Sequence, residues 1–158
     1  MYKRQEILGF RQVGELDAEK VGVPQRRAMR FYSGDHSGKL NHHDLALVQV
    51  DDLAEAGKDR PSALNHVAIT FPSRETWLEQ LAWVQSQGVA FDRRTNHGLT
   101  RSLYIRDPNG HAVELLYELP RDMWEGDING ALNFVENLPT EGREALVDEV
   151  EKAPVFGE

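Results

Sequence analysis

Apolar and polar positions alternate along much of this chain, and the alternation predicts short strands around one helix. Strand-like segments lie near 10–15, 27–33 and 43–50. Turn-rich pieces separate them: Gly22-Val23-Pro24, and the run from Ser33-Gly34-Asp35 to Gly38. Residues 1–8 read as the last turns of a helix, with Gly9 as its C-cap. A polar linker with Gly57 and Pro61 follows over 51–63, and then a strong strand over 64–71. In that strand Val67, Ile69 and Phe71 share a bulky face suited to packing on the helix that follows, while His66 shares the other face with the small residues Ala68 and Thr70. Ser73 is placed to cap that helix, Glu75 lies in its first turn, Trp77, Leu78, Leu81 and Val84 recur at helical spacing, and Gly88 stops it. Strands near 89–93, 101–106 and 111–119 complete a β-α-β-β-β unit over 64–119. Residues 1–50 read as the same pattern without its opening strand, although the two halves share no sequence identity. From Pro120 to residue 158 runs an acidic tail with Trp124 as its anchor and a helix expected over 141–152.

The stretch "NHGLTRSLYIRDPNGHAVELLYE" carries the most chemical information. Asp107-Pro108-Asn109-Gly110 suits a type I turn, with Asp first, Pro second and Gly fourth. A glycine there takes the left-handed conformation and makes a bulged three-residue loop, which pairs Asp107 with His111. Tyr104 then stands opposite Glu114; a two- or four-residue loop would set Val113 there instead. Leu103, Ile105, Val113, Leu115 and Tyr117 fall on the other face and read as core. A buried carboxylate at Glu114 is costly unless a metal cation, an arginine or a proton relieves it. Taken alone, Glu114 equally suits an arginine pair or a solvated sheet face, and Glu118 is the more exposed acid. His66 has room in front of it for a ligand, but also reads as a half-buried histidine bonded to a neighbour. His97 sits in the loop signal Asn96-His97-Gly98, where a solvated ring is the plain expectation. In His42-His43-Asp44, His43 falls on the face of Leu45 and Leu47, and one ring of the doublet is expected at the surface. His36 reads as loop surface and His111 as a residue flanking the turn.

A chain of 158 residues suffices for one domain with a real core. The net charge of -8 weighs against nucleic acid as a partner. Without cysteine there is no disulfide, zinc finger or iron–sulfur cluster, so any metal must be held by His, Asp or Glu. No apolar run is long enough to cross a bilayer and no signal peptide is evident, which makes a cytoplasmic enzyme or binding protein the default.

Together, "HHDLALVQV", "LNHVAITF" and "HGLTRSLYIRDPNGHAVELLYELP" resemble the vicinal oxygen chelate superfamily, and within it the type I extradiol ring-cleavage dioxygenases. The resemblance runs to about residue 125. "DPNG" followed by a strand with Glu is common across the superfamily; "HGLTRSLY" with "HHDLAL" is more specific to the ring-cleaving branch. The resemblance implies an α+β fold in which paired βαβββ modules form an open mixed β-barrel around a metal. It implies His66 and Glu114 as metal ligands, His43 and His97 as acid–base and oxygen-stabilising groups, and Tyr104 as a hydrogen-bond donor to substrate. It further implies Fe(II), or Mn(II), as cofactor, with a catecholic small molecule and dioxygen as substrates. The family's first metal-binding histidine, on the opening strand of the first module, has no match here. A truncated N-terminus, a misplaced start, a strand from a partner chain or a metal-poor relative would each account for that. An unpaired sheet edge would follow, inviting a homo-oligomer. Two other functions compete: a glyoxalase- or epimerase-like enzyme on the same scaffold, and a metal-free small-molecule binding protein of the bleomycin-resistance type.

Overall fold

The computed structural model describes residues 10–16, 28–34, 37–49, 64–108 and 110–157. Three antiparallel strands, β1 (Arg11–Leu16), β2 (Met29–Ser33) and β3 (Leu45–Val48), form one sheet in sequence order. The second sheet has the order β4-β7-β6-β5-β8, from β4 (His66–Thr70), β5 (Arg93–Asn96), β6 (Thr100–Arg106), β7 (Ala112–Glu118) and β8 (Glu136–Leu138). Helix α1 (Arg74–Ser86) joins β4 to β5, so 66–118 forms a βαβββ unit in which β4 runs parallel to β7. Two sheets with few helices give the expected α+β class. The expected helix end before Gly9 and the linker over 51–63 lie outside the described residues. No helix among the described residues is long and apolar enough to cross a membrane.

Helix α1 starts where Ser73 accepts a hydrogen bond from the Thr76 amide, and it ends before Gly88, at φ +73°. It buries Trp77, Leu81 and Val84 on the sheet face that carries Leu103, Leu115 and Tyr117. The Trp77 indole donates to the Leu115 carbonyl at 2.9 Å, so the largest core side chain leaves no polar atom unmet.

The hairpin forms in the expected register. Gly110 lies at φ +86°, its amide donates to the Asp107 carbonyl at 2.9 Å, and the Asp107 amide donates to the His111 carbonyl at 3.0 Å. Tyr104 stands opposite Glu114, and Leu103 opposite Leu115.

Four expectations need correction. The strand expected near 89–93 is Arg93–Asn96, a polar run whose Arg94 is buried against the Trp77 ring; the ladder partner starts at Tyr104. The apolar face of β4 is not covered: Val67 and Ile69 remain 50% and 47% exposed, because among the described residues β4 pairs on one side only, with β7, and α1 packs over β7. The helix expected over 141–152 is two 3-10 turns, Glu144–Leu146 and Val150–Lys152, with extended backbone at Val147. A helix would consume carbonyls that arginines take here: Arg94 donates to those of Glu144 and Val147, and Arg74 to that of Asp148. Asp148 itself is pulled inward, 3.0 Å from Arg101 and bonded to the Tyr117 hydroxyl. Finally, the tail adds two elements that the hydrophobic pattern did not show, helix α2 (Ile128–Asn133) and strand β8. Trp124 is fully buried, as an anchor should be, and donates to the Leu119 carbonyl at 3.0 Å.

Two glycines separate backbone strain from packing. At Gly110 an added Cβ would meet nothing within 4 Å, whereas at Gly98 (φ +78°) it would come within 2.9 Å of the Phe156 ring and 3.0 Å of the Ala131 carbonyl. Gly110→Ala is therefore expected to cost about 1–2 kcal/mol for the left-handed backbone alone. Gly98→Ala should cost about 1–3 kcal/mol more through overpacking. Urea unfolding of the two variants checks the ordering.

Candidate active site

Strand alternation in the second sheet sends His66, Ala68 and Thr70 of β4, Glu114 of β7, and Ser102 and Tyr104 of β6 to one face, opposite the helix. The small residues beside His66 leave the carboxylate of Glu114 as its neighbour. His66 Nε2 lies 2.9 Å from Glu114 Oε2. The Tyr104 hydroxyl donates to Glu114 Oε1 at 2.7 Å, and His97 Nε2 lies 3.0 Å from the Tyr104 oxygen. Since the phenol's one hydrogen goes to the carboxylate, His97 must be the donor in the last contact. His66, Glu114, Tyr104 and His97 thus form one continuous chain of polar contacts.

Glu114 is 6% exposed. Burial alone would raise its pKa, but hydrogen bonds from His66, Ser102 and Tyr104 outweigh it and hold the carboxyl down at about 2. The Tyr104 phenol is pushed well above its ordinary value, first by burial and then by the Glu114 charge, so it stays a neutral donor. Glu118 is the more exposed acid, with 40% of its side chain in solvent against 8% for Glu114.

The first sheet contributes His43. Its ring packs on Phe31 at 5.0 Å between centroids and feels the charges of Glu114 and His97. Phe31 pairs with Ala46, so His43 reaches the face of Ala46, not that of Leu45 and Leu47; the bend at Asp44 interrupts the alternation. Burial, followed by the neighbouring His42, lowers the His43 pKa to about 4. Neither ring of the doublet is a surface residue, because His42 is only 5% exposed and lies against Trp124. His36 lies outside the described residues, and His111 flanks the turn as expected, bonded to Asp107.

The sequence reading did not single out Ser102, Arg93 or Asn65. Ser102 could have been found, since it is two residues before Tyr104 and so on its face. Arg93, whose guanidinium lies 4.0 Å from the centre of the Tyr104 ring, was hidden by the misplaced strand. Asn65 was masked as an ordinary strand flank.

The donor set suits a cation. With a hydrogen on His66 Nδ1, which lies 3.1 Å from Asn65 Oδ1, the Nε2 lone pair becomes free for a metal once a cation takes the place of the hydrogen bond to Glu114. Two facing lone pairs need a positive charge between them, a proton or a metal ion. Ligand atoms about 2.1 Å from an octahedral ion stand roughly 3 Å apart when adjacent, which is the spacing of these two atoms. Among the described residues, however, no group of three His, Asp or Glu side chains is placed to hold a metal. His66 and Glu114 therefore offer two ligands.

The Glyoxalase/Bleomycin resistance protein/Dioxygenase superfamily profile matches residues 5–115, and the chain belongs to this superfamily. Biphenyl-2,3-diol 1,2-dioxygenase 2 of Rhodococcus globerulus is 32% identical over 74 residues, 47% of this chain and 39% of that protein. Catechol-2,3-dioxygenase of Bacillus subtilis is 31% identical over 88 residues, 56% of this chain and 30% of its own length. Biphenyl-2,3-diol 1,2-dioxygenase 3 of Rhodococcus globerulus is 38% identical over 99 residues, 59% and 47% of the respective chains. The chain thus spans less than half the length of the curated relatives it matches.

His43 is neutral in the fold and protonated in the unfolded chain between about pH 4 and 6.5. The unfolded state then binds the extra proton, so stability falls as pH drops through that window, by at most about 3 kcal/mol. Glu114 acts in a lower window, from its unfolded value near 4.5 down to about 2, where protonation removes its contribution. Chemical denaturation at stepped pH should show His43→Phe losing less stability than wild type between pH 6.5 and 4, and the same amount below.

Proposed function

We propose that this chain carries the site of an extradiol dioxygenase, which cleaves a catecholic ring beside its diol with dioxygen at Fe(II), or at Mn(II). The observation that supports it best is the unbroken chain His66–Glu114–Tyr104–His97 on one face, with His43, packed on Phe31 of the first sheet, near enough to feel the Glu114 charge. His66 and Glu114 would hold the ion. When bound, the metal supplies adjacent positions for the diol oxygens and dioxygen, and a path for electron density from ring to oxygen.

The chain's own residues then have separable tasks. Neutral His43 accepts the proton that a catechol hydroxyl gives up on binding. Tyr104 and His97, which without metal give their hydrogens to Glu114 and to the Tyr104 oxygen, would turn those donors to the substrate oxygens once a cation takes over Glu114, and to the negative charge that develops on oxygen during ring opening. Burial of Tyr104 keeps its hydrogen in place throughout. Leu99 and Leu103, both almost fully buried, back the loop and strand that carry these groups.

A second reading rests on one specific observation, the lack of a third metal-binding side chain beside His66 and Glu114 among the described residues. On that reading the same face binds a small aromatic molecule without metal.

Assay with 2,3-dihydroxybiphenyl and catechol under added Fe(II) separates the two, since ring cleavage gives a yellow product. With two protein ligands, iron affinity is expected to be low, so activity should rise with added Fe(II) and vanish on chelation. Glu114→Gln and His66→Ala should abolish it, while His97→Ala and Tyr104→Phe should lower kcat by roughly 10²–10⁴. Binding of the aromatic compound without turnover at any iron concentration would favour the metal-free reading.

A further inference from the structure

A second line of polar contacts runs from the surface to His43. Glu118, at the end of β7, holds its Oε1 3.3 Å from His42 Nε2, and Asn41 Nδ2 donates to the same oxygen at 3.3 Å. His42 is buried between the Trp124 and His43 rings, at 5.5 and 4.7 Å between centroids. Its Nδ1 lies 3.0 Å from His43 Nδ1.

Two Nδ1 atoms at that distance need one hydrogen between them. If it belongs to His42, then neutral His43 carries its own hydrogen on Nε2 and can only donate there. If it belongs to His43, then His43 Nε2 bears a lone pair and can accept a proton. A neutral His42 has a single ring hydrogen, so its other contact decides. That contact is buried Nε2, which makes no well-aligned hydrogen bond among the described residues but lies 3.3 Å from the Glu118 carboxylate. An ionised carboxylate only accepts. A lone pair on His42 Nε2 would face that negative charge unscreened, whereas a hydrogen there satisfies both groups.

We propose that Glu118, acting through His42, fixes His43 in the Nδ1–H tautomer and so makes His43 Nε2 the proton acceptor of the site. Glu118 and His42 are positioning residues, since they act through His43. The tautomer assignment stands on geometry alone; its catalytic consequence rests on the ring-cleavage reading. Two properties agree with it. Glu118 is held below the ordinary carboxylate range, chiefly by the nearness of His42, so it remains an acceptor at neutral pH. Around His43 the charged and titratable groups are His42, Glu114, His97 and Asp44, and burial keeps the ring neutral among them.

The test reads tautomers by long-range proton–nitrogen correlation NMR on nitrogen-15 histidine-labelled protein near neutral pH, without added metal or substrate. Wild type should show hydrogens on His43 Nδ1 and His42 Nε2. Glu118→Leu, at a position exposed enough to tolerate it, should shift the His43 tautomer ratio toward Nε2–H by about tenfold, the equivalent of one charge-assisted hydrogen bond. Glu118→Asp should restore part of it. An Nε2–H tautomer of His43 in wild type, or an unchanged ratio in Glu118→Leu, overturns the proposal. In the ring-cleavage assay, Glu118→Leu should lower kcat with little change in KM. If the tautomers are as assigned but wild type cleaves no catechol, the relay stands and the ring-cleavage reading falls.

Discussion

A carboxylate buried between two strands is the constraint around which this molecule is arranged. Removing Glu114 from water costs several kcal/mol unless donors replace the lost hydration. The fold supplies them from three directions. The parallel pairing of β4 with β7 sets Ala68 opposite Glu114 and His66 one pleat away. The antiparallel pairing of β6 with β7 sets Tyr104 directly opposite, with Ser102 two residues along the same face. A slip of one residue in either ladder would send Glu114 into the core beside Trp77. The turn at Asp107 and the left-handed Gly110 therefore decide electrostatics as well as chain reversal.

The two sheets are held in register by the segment after β7. Helix α2 packs on β1, where Asn129 accepts from the Glu15 amide at 3.0 Å and Asn133 donates to the Glu15 carbonyl at 3.1 Å. A few residues later β8 pairs with β5 in the other sheet. Arg121 adds a bond to the Leu40 carbonyl at 2.8 Å, just before the histidine doublet. His43, packed on Phe31 of the first sheet, comes near enough to feel the Glu114 charge because a short stretch of chain binds both sheets at once. Phe156 extends the same support to the loop of His97, by closing over Gly98.

What was legible in the sequence is what short-range rules govern. The Asp-Pro-Asn-Gly turn chemistry dictated a register, and the register paired Tyr104 with Glu114. Period-two alternation placed His66 away from Val67, and the Ser73 cap with helical spacing defined α1. What stayed hidden depends on partners far along the chain. Arg94 is buried because Trp77 and the carbonyls of Glu144 and Val147 meet it, which no local pattern in Arg93–Asn96 announces. Asp148 gives up a helix for a buried ion pair with Arg101. His42 is interior because Trp124 covers it, eighty residues away in order of magnitude of chain. The family resemblance supplied roles for His43 and His97 that their own neighbours in sequence could not.

Strand β4 has a ladder on one side only among the described residues, and two of its apolar side chains stand half in solvent. Its backbone should therefore open at lower free energy than the interior strands that carry Tyr104 and Glu114. The site is consequently built with one firm wall and one yielding wall. Whatever binds His66 must also still the strand beneath it, and that ordering cost is subtracted from its affinity.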